Sequence, residues 1–257
     1  MTTTLAVANQ KGGVAKTTSV ASIGAALAEL GQRVLLVDLD PQACLTFSLG
    51  IDPEDLEVSV HHVLTKGTDP GEVIIETEDG VHLLPATIEL ARAEADLLTR
   101  TGREHVVKMV VEDVEDDYDW VLLDCPPSLG VLTVAALTAA RGVLIPLQCE
   151  TLSHRGVGQL LDTVHDVRRF TNRKLEVWGV LPTLYDGRTN HSRTVLETIA
   201  ETYELEVVEP PIPKTIKFAE APAAGRSILA TSRTSKGAQA YREVAKNLVA
   251  RAGRTKR

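Results

Sequence analysis

The sequence predicts one α/β domain, a mostly parallel twisted sheet flanked by helices on both faces. Three observations predict it. Short continuous apolar runs, such as Val34–Val37, Trp120–Leu123 and Gly142–Leu147, suit strands buried on both sides. Stretches with helical apolar spacing alternate with them, as strand–helix–strand crossovers require. A glycine-rich turn joins the first apolar run, Leu5–Ala8, to the first helical pattern, Ser19 to Leu30. The 257 residues suffice for one large core and read as a single unit, with 253–257 as a frayed basic tail.

The turn Asn9-Gln10-Lys11-Gly12-Gly13-Val14-Ala15-Lys16-Thr17-Thr18 is the chemical centre. A glycine-rich turn between strand and helix aims backbone N–H groups at one point, at the positive end of the helix dipole. An anion is favoured there, commonly a phosphate chain. Lys16 would add a point charge on the β- and γ-phosphates, and Thr17 a hydroxyl for Mg²⁺. The match to G-x-x-x-x-G-K-[ST] is incomplete: Gln10 and Ala15 stand at its two glycine positions, and Lys11 is an extra cation. A plain Gly-Gly turn opening a helix is the alternative; a lysine and two hydroxyls placed where phosphate needs them argue against it. No G-x-G-x-x-G occurs, which disfavours hydride transfer.

Gly31 ends the first helix. The next strand, Val34–Val37, delivers Asp38 and Asp40 at its carboxyl end, where open α/β sheets bind ligands. A helix cap before Pro41 is the other role open to Asp40. Residues 51–80 read as an acidic surface excursion with a short helix, Val58 to Leu64. His61 and His62 point apart on it, against a shared metal. Val81–Pro85 reads as a strand. Ile88 to Leu98 reads as an amphipathic helix with Leu90, Ala91, Ala95 and Leu98 inside. The charge run Glu112–Asp119 reads as a solvated helix end. The strand Trp120–Leu123 then delivers Asp124, placed to reach Mg²⁺ through its water shell. Further strands are expected at Gly142–Leu147, Glu176–Thr183 and Glu204–Glu209, and helices at Thr151–Arg169 and Thr194–Tyr203. The terminal helix, Ser235 to Ala252, carries Tyr241, Val244, Ala245, Leu248, Val249 and Ala252 on one face.

Composition narrows the class. No run approaches the roughly 18 apolar residues of a membrane span. The first residues show no signal-peptide pattern, so the expected location is cytoplasmic. Cys44, Cys125 and Cys149 are isolated and read as reduced core side chains. The net charge of −8 is uneven. Residues 1–150 carry 9 Lys and Arg against 24 Asp and Glu, and residues 151–257 carry 18 against 11. A basic half can present a basic face to nucleic acid.

K-G-G-V-A-K-T-T resembles the deviant Walker A loop of the ParA/MinD group of phosphate-loop NTPases. Val37-Asp38-Leu39-Asp40-Pro41-Gln42, Asp124-Cys125-Pro126-Pro127-Ser128 and the Ile212-Pro213…Glu220-Ala221-Pro222 stretch extend the resemblance over nearly the whole chain. It is nearest to the small chromosomal ParA/Soj-type partition ATPases. The resemblance implies Mg-ATP hydrolysis used as a switch. Gly12, Gly13, Val14, Ala15, Lys16, Thr17 and Thr18 would cradle the phosphates. Thr17 and Asp124 would hold Mg²⁺ with Asp38 near it, and Asp40 would orient the attacking water. Lys11 would reach the phosphates of a second copy, giving an ATP-dependent homodimer. Pro213 and Thr215 would pack on the adenine. Arg188 and Lys217 would contact DNA without sequence preference, with Lys214, Arg226 and Arg233 as secondary choices. A ParB-type DNA-binding protein would stimulate turnover, and the protein would be nucleoid-associated.

The terminal helix lacks the Trp or Phe among basic residues of a membrane-binding helix, so packing onto the domain is expected and no membrane is. Two other functions stay open: a MinD-like membrane-surface positioning ATPase, and an ATP-locked scaffold with little hydrolysis. A metabolic ligase of the same fold is disfavoured by the adjoining stretches. Ala15 departs even from the resembled group. If that backbone needs positive φ, alanine costs roughly 1 kcal/mol and turnover is expected to be slow.

Overall fold

The computed structural model describes residues 2–150, 153–188 and 190–254. Seven strands form one sheet: β1 Thr3–Val7, β2 Val34–Asp38, β3 Ile75–Glu76, β4 His82–Leu84, β5 Trp120–Asp124, β6 Gly142–Gln148 and β7 Glu176–Thr183. Their order is β3-β4-β2-β5-β1-β6-β7. All neighbours are parallel except β3, which runs antiparallel to β4 at the edge. The helices are α1 Lys16–Glu29, α2 Cys44–Ser48, α3 Val60–Lys66, α4 Pro70–Val73, α5 Leu90–Leu98, α6 Val106–Val114, α7 Val131–Ala139, α8 Ser153–Phe170, α9 Asn190–Tyr203, α10 Lys217–Glu220, α11 Ile228–Thr231 and α12 Lys236–Arg254.

The sheet divides the core in two. Leu35, Val37, Val121 and Leu123 face a cluster with residues of α3, α5, α6, α7 and α8. Leu36, Leu122 and Leu144 face a second cluster with residues of α1, α11 and α12. Both faces being covered, the central strands are apolar without alternation. On the second side, Trp120 and Trp178 meet edge to face with ring centroids 6.1 Å apart. The apolar face of α12 packs there as expected, with Tyr241 fully buried and its hydroxyl 2.9 Å from Ser19 Oγ on α1.

Several expectations are corrected. Residues 51–80 are more than an excursion: Val60, Val63, Leu64 and Val73 are core residues, and Ile75–Glu76 is the edge strand. Its helices are too short to show a period. On α5 the inner residues are Leu90, Ala93 and Leu97, whereas Ala91, Ala95 and Leu98 are exposed. The true stripe is the i, i+3, i+7 set, offset from the one read from the sequence. Helix α7 escaped the sequence reading because Leu132, Thr133, Ala135, Ala136, Leu137 and Thr138 are all buried, leaving no polar face to reveal a period. Glu204–Glu209 is not a strand. It makes one parallel bridge, Val180 to Val207, with Glu204 left-handed at φ 52°. Gly179 permits this approach, since a Cβ there would lie 2.4 Å from Glu206 O. Cys44 is exposed, while Cys125 and Cys149 are buried as expected. Residues 151–152 of the expected helix and 255–257 of the expected tail lie outside the described residues.

The packing of β6 on β7 gives a test. A Cβ at Gly142 would lie 2.3 Å from Trp178 Nε1. Gly142→Ala is expected to destabilise by about 1–3 kcal/mol through overpacking. Each kcal/mol lowers Tm by about 2–4 °C at this size. Calorimetry showing an unchanged Tm would contradict the packing described.

Candidate nucleotide site

Strand register brings the site together. Asp38 pairs with Asp124, and Val7 pairs with Asp124 on its other side. Three adjacent strands therefore end at one level. The loops that follow them carry the glycine-rich turn, Asp40, and Cys125–Ser128.

The glycine-rich turn is tied from three directions. Asn9 Nδ2 donates to Pro146 O at 2.7 Å, and the Lys11 amide donates to Asn9 Oδ1 at 3.0 Å. Thr183, at the end of β7, donates from Oγ1 to Val14 O at 2.8 Å. Gly13 has φ 75° and Ala15 has φ 61°, so the anticipated positive φ at Ala15 is present. Glycine suits such a conformation and alanine is strained in it by roughly 1 kcal/mol. A loop fixed this way pays less ordering cost when a ligand arrives.

The two lysines differ. Lys16 opens α1 and is buried, its Nζ 3.4 Å from Lys11 O. Lys11 is partly exposed and forms a salt bridge at 2.5 Å with Glu150, which follows β6.

The carboxylates also differ. Asp38 is fully buried and its oxygens are occupied: Oδ1 accepts from the Asp40 amide, and Oδ2 from both the Thr46 amide and hydroxyl, at 3.1, 2.9 and 2.8 Å. It shapes the Asp40 loop. Asp40 Oδ1 accepts from the Gln42 amide at 3.0 Å, closing an Asx turn; the helix cap also open to it is not made, because α2 begins at Cys44 with Ala43 as its N-cap. Asp124 is the opposite case: both oxygens are buried and neither makes a hydrogen bond of normal geometry among the described residues, the Thr17 hydroxyl standing nearby. Burial, then repulsion from Asp38, pushes the Asp124 carboxyl well up, with Thr17 and Lys16 acting in the other direction. Burial likewise pushes Asp38 up, against its hydrogen bonds from Thr46 and Asp40. A buried carboxylate without a partner is costly unless a cation joins it. Asp124 next to the Thr17 hydroxyl therefore fits Mg²⁺, both donors being hard oxygens.

On the far side of the loop, Pro213 bridges Tyr185, and the Lys214 amide donates to Tyr185 O at 3.3 Å. Thr215 Oγ1 accepts from the Lys217 amide at 3.3 Å. The 213–217 segment thus lies against the end of β7, which itself touches the glycine-rich turn through Thr183. Arg188 and Lys217 fall on this same edge and are exposed. Arg188 is paired with Asp186, Lys217 with Glu220. Arg226, a secondary choice, is paired with Glu78 and Asp79. Asn9, Thr46, Glu150 and Thr183 were missed from sequence. Thr183 alone had a signal, a hydroxyl ending an apolar strand.

Residues 2–177 match the model of an AAA domain. The chain is 42% identical to the sporulation initiation inhibitor protein Soj of Bacillus subtilis, covering 96% of this chain and 98% of that one. The chain belongs to the ParA/Soj family of ATPases. It is also 43% identical to the chromosome-partitioning ATPase Soj of Thermus thermophilus, over 96% of this chain and 95% of that protein. A solved Mycobacterium smegmatis structure, described as cobyrinic acid a,c-diamide synthase with bound ADP and magnesium, superposes with a TM-score of 0.89. It is 57% identical and covers 100% of this chain and 97% of that one. Pyrococcus horikoshii MinD with Mg-ADP shares the fold, with a TM-score of 0.78 at 24% identity and coverage of 98% of each chain. As a ParA/Soj family member the chain is an ATP hydrolase using ATP and Mg²⁺.

Two outcomes follow from this geometry. Ala15→Gly is expected to raise the Tm of the nucleotide-free protein by relieving about 1 kcal/mol and to speed ATP turnover. Unchanged Tm and turnover would remove the strain argument. Asp124→Asn should also stabilise the nucleotide-free protein at pH 8. Its folded pKa is raised above the unfolded value, so the charged form penalises folding above the folded pKa. The gain should vanish as pH falls towards the unfolded value of about 4. The same variant should lose stabilisation by Mg-ATP. Thermal melts across pH, with and without Mg-ATP, check both.

Proposed function

We propose that the chain is an ATP-driven partition switch, in which Mg-ATP joins two copies face to face and the dimer holds DNA without sequence preference. Lys16 and the amides of residues 12–18 hold the phosphates. Thr17 and, through water, Asp124 hold Mg²⁺, which supplies charge stabilisation at the phosphates. Asp38 shapes the loop that carries Asp40, and Asp40 orients the water that attacks the terminal phosphate. Orientation is enough; no strong base is needed. Pro213 and Thr215 flank the base. A ParB-type DNA-binding protein stimulates turnover on the nucleoid.

The observation that carries the reading is Lys11. It stands at the edge of the turn, its ammonium paired among the described residues with Glu150 in a solvent-accessible bridge. Such pairs contribute about 0–1 kcal/mol, so a doubly charged phosphate of a second copy can take the lysine. Arg188, Lys214 and Lys217 support the DNA part. The bridge between Tyr185 and Pro213 gathers them on one edge, and their acidic neighbours are equally weak competitors for phosphate. Against the membrane-surface alternative, the apolar face of α12 is buried on α1.

The name of the Mycobacterium smegmatis structures favours a second reading, an ATP-dependent synthase. Under it, ATP turnover requires an added organic acid. Turnover stimulated by DNA and a ParB-type protein alone favours the partition switch.

The direct test is binding to nonspecific DNA at 50 and 200 mM salt. With about four phosphate contacts, affinity should fall about hundredfold across that range. Binding should require ATP and be lost in Lys11→Ala and Arg188→Glu. No binding with ATP present would overturn the reading.

A further inference from the structure

Glu94 stands outside every role assigned above. It follows Ala93 on α5, whose buried residues Leu90, Ala93 and Leu97 pin the helix. Its Oε1 lies 3.0 Å from the point that a Cβ at Gly130 would occupy, and Ser128 Oγ lies 3.5 Å from the same point. Gly130 caps α7, and Ser128 belongs to the loop after Asp124. Sheet order explains the meeting. β4 lies beside β2 and β2 beside β5, so the helix after β4 falls over the loops that follow β2 and β5.

Glu94 is half-buried and has no hydrogen bond or ion pair among the described residues. Burial, then the charge of Asp40, raises its pKa, so Asp40 is within electrostatic reach. Packing alone does not account for a half-buried carboxylate without a partner. Its position over the start of α7, where the dipole favours an anion, offsets part of that cost.

We propose that Glu94 is a positioning residue for ATP hydrolysis, its carboxylate bracing the Ser128–Gly130 turn against the Asp40 loop and fixing the gap in which water is oriented. Gly130 belongs to the same device, because a Cβ there would press on the carboxylate and move it by a few tenths of an ångström. The inference rests on Asp40 as the water-orienting residue.

Glu94→Ala should lower kcat roughly ten- to hundredfold while the dissociation constant of a fluorescent ATP analogue stays within about twofold of wild type. Gly130→Ala is a second route. Gly130 has φ −77°, which alanine accepts, so the change acts by displacing Glu94. It should reproduce the loss, and the double variant should be no worse than the poorer single, as coupled sites require. In the nucleotide-free protein, hydrogen exchange at residues 128–132 should be faster in Glu94→Ala. Unchanged kcat, a parallel loss of nucleotide affinity, or additive losses would overturn the proposal. Asp40→Ala separates the two readings. If it keeps wild-type turnover, the role of Asp40 fails; if it is inactive while Glu94→Ala is not, only Glu94 fails.

Discussion

Asp38 and Asp124 end neighbouring strands at the same level, both sealed from solvent. Two carboxylates this close in a core repel each other and lose hydration, so one of them needs a partner. The chain satisfies Asp38 with Thr46 and the Asp40 amide. It leaves Asp124 open. That asymmetry separates them: one carboxylate builds the Asp40 loop, and the other is left with the chemistry that suits a cation. A metal there would not be an optional addition. Under the proposed function it completes the charge balance at Asp124, which would link nucleotide binding to stability.

The same contrast separates the two lysines. Lys16 is buried against its own loop and has little freedom. Lys11 is exchangeable, because its Glu150 partner is half in solvent. Buried polar contacts fix a geometry, while exposed ones trade partners readily. A switch needs both kinds, and here they sit five residues apart on one turn.

The central sheet was legible because strands covered on both faces cannot hide: Val34–Val37 and Trp120–Leu123 read as uninterrupted apolar runs. Asp38 and Asp124 were legible as strand-end carboxylates because they follow such runs directly. Helix α7 and the buried face of α5 were not, since one has no polar side and the other offers two competing apolar stripes. The contacts that lock the turn were also out of reach. Asn9 meets Pro146 across 137 residues and Thr183 meets Val14 across 169, and no local pattern encodes either.

Ala15 shows why local disagreement belongs at this site. A residue that prefers negative φ is held at φ 61°. It stays there because Thr183 fixes Val14 from one side and helix α1 begins at Lys16 on the other. The strain of roughly 1 kcal/mol is small beside the stability of a domain this size. It is concentrated, however, in the one turn whose amides, under the proposed function, must all point at a phosphate. Relaxing that turn would scatter those amides, so the fold spends its rigidity there and leaves exchangeable pairs at the rim.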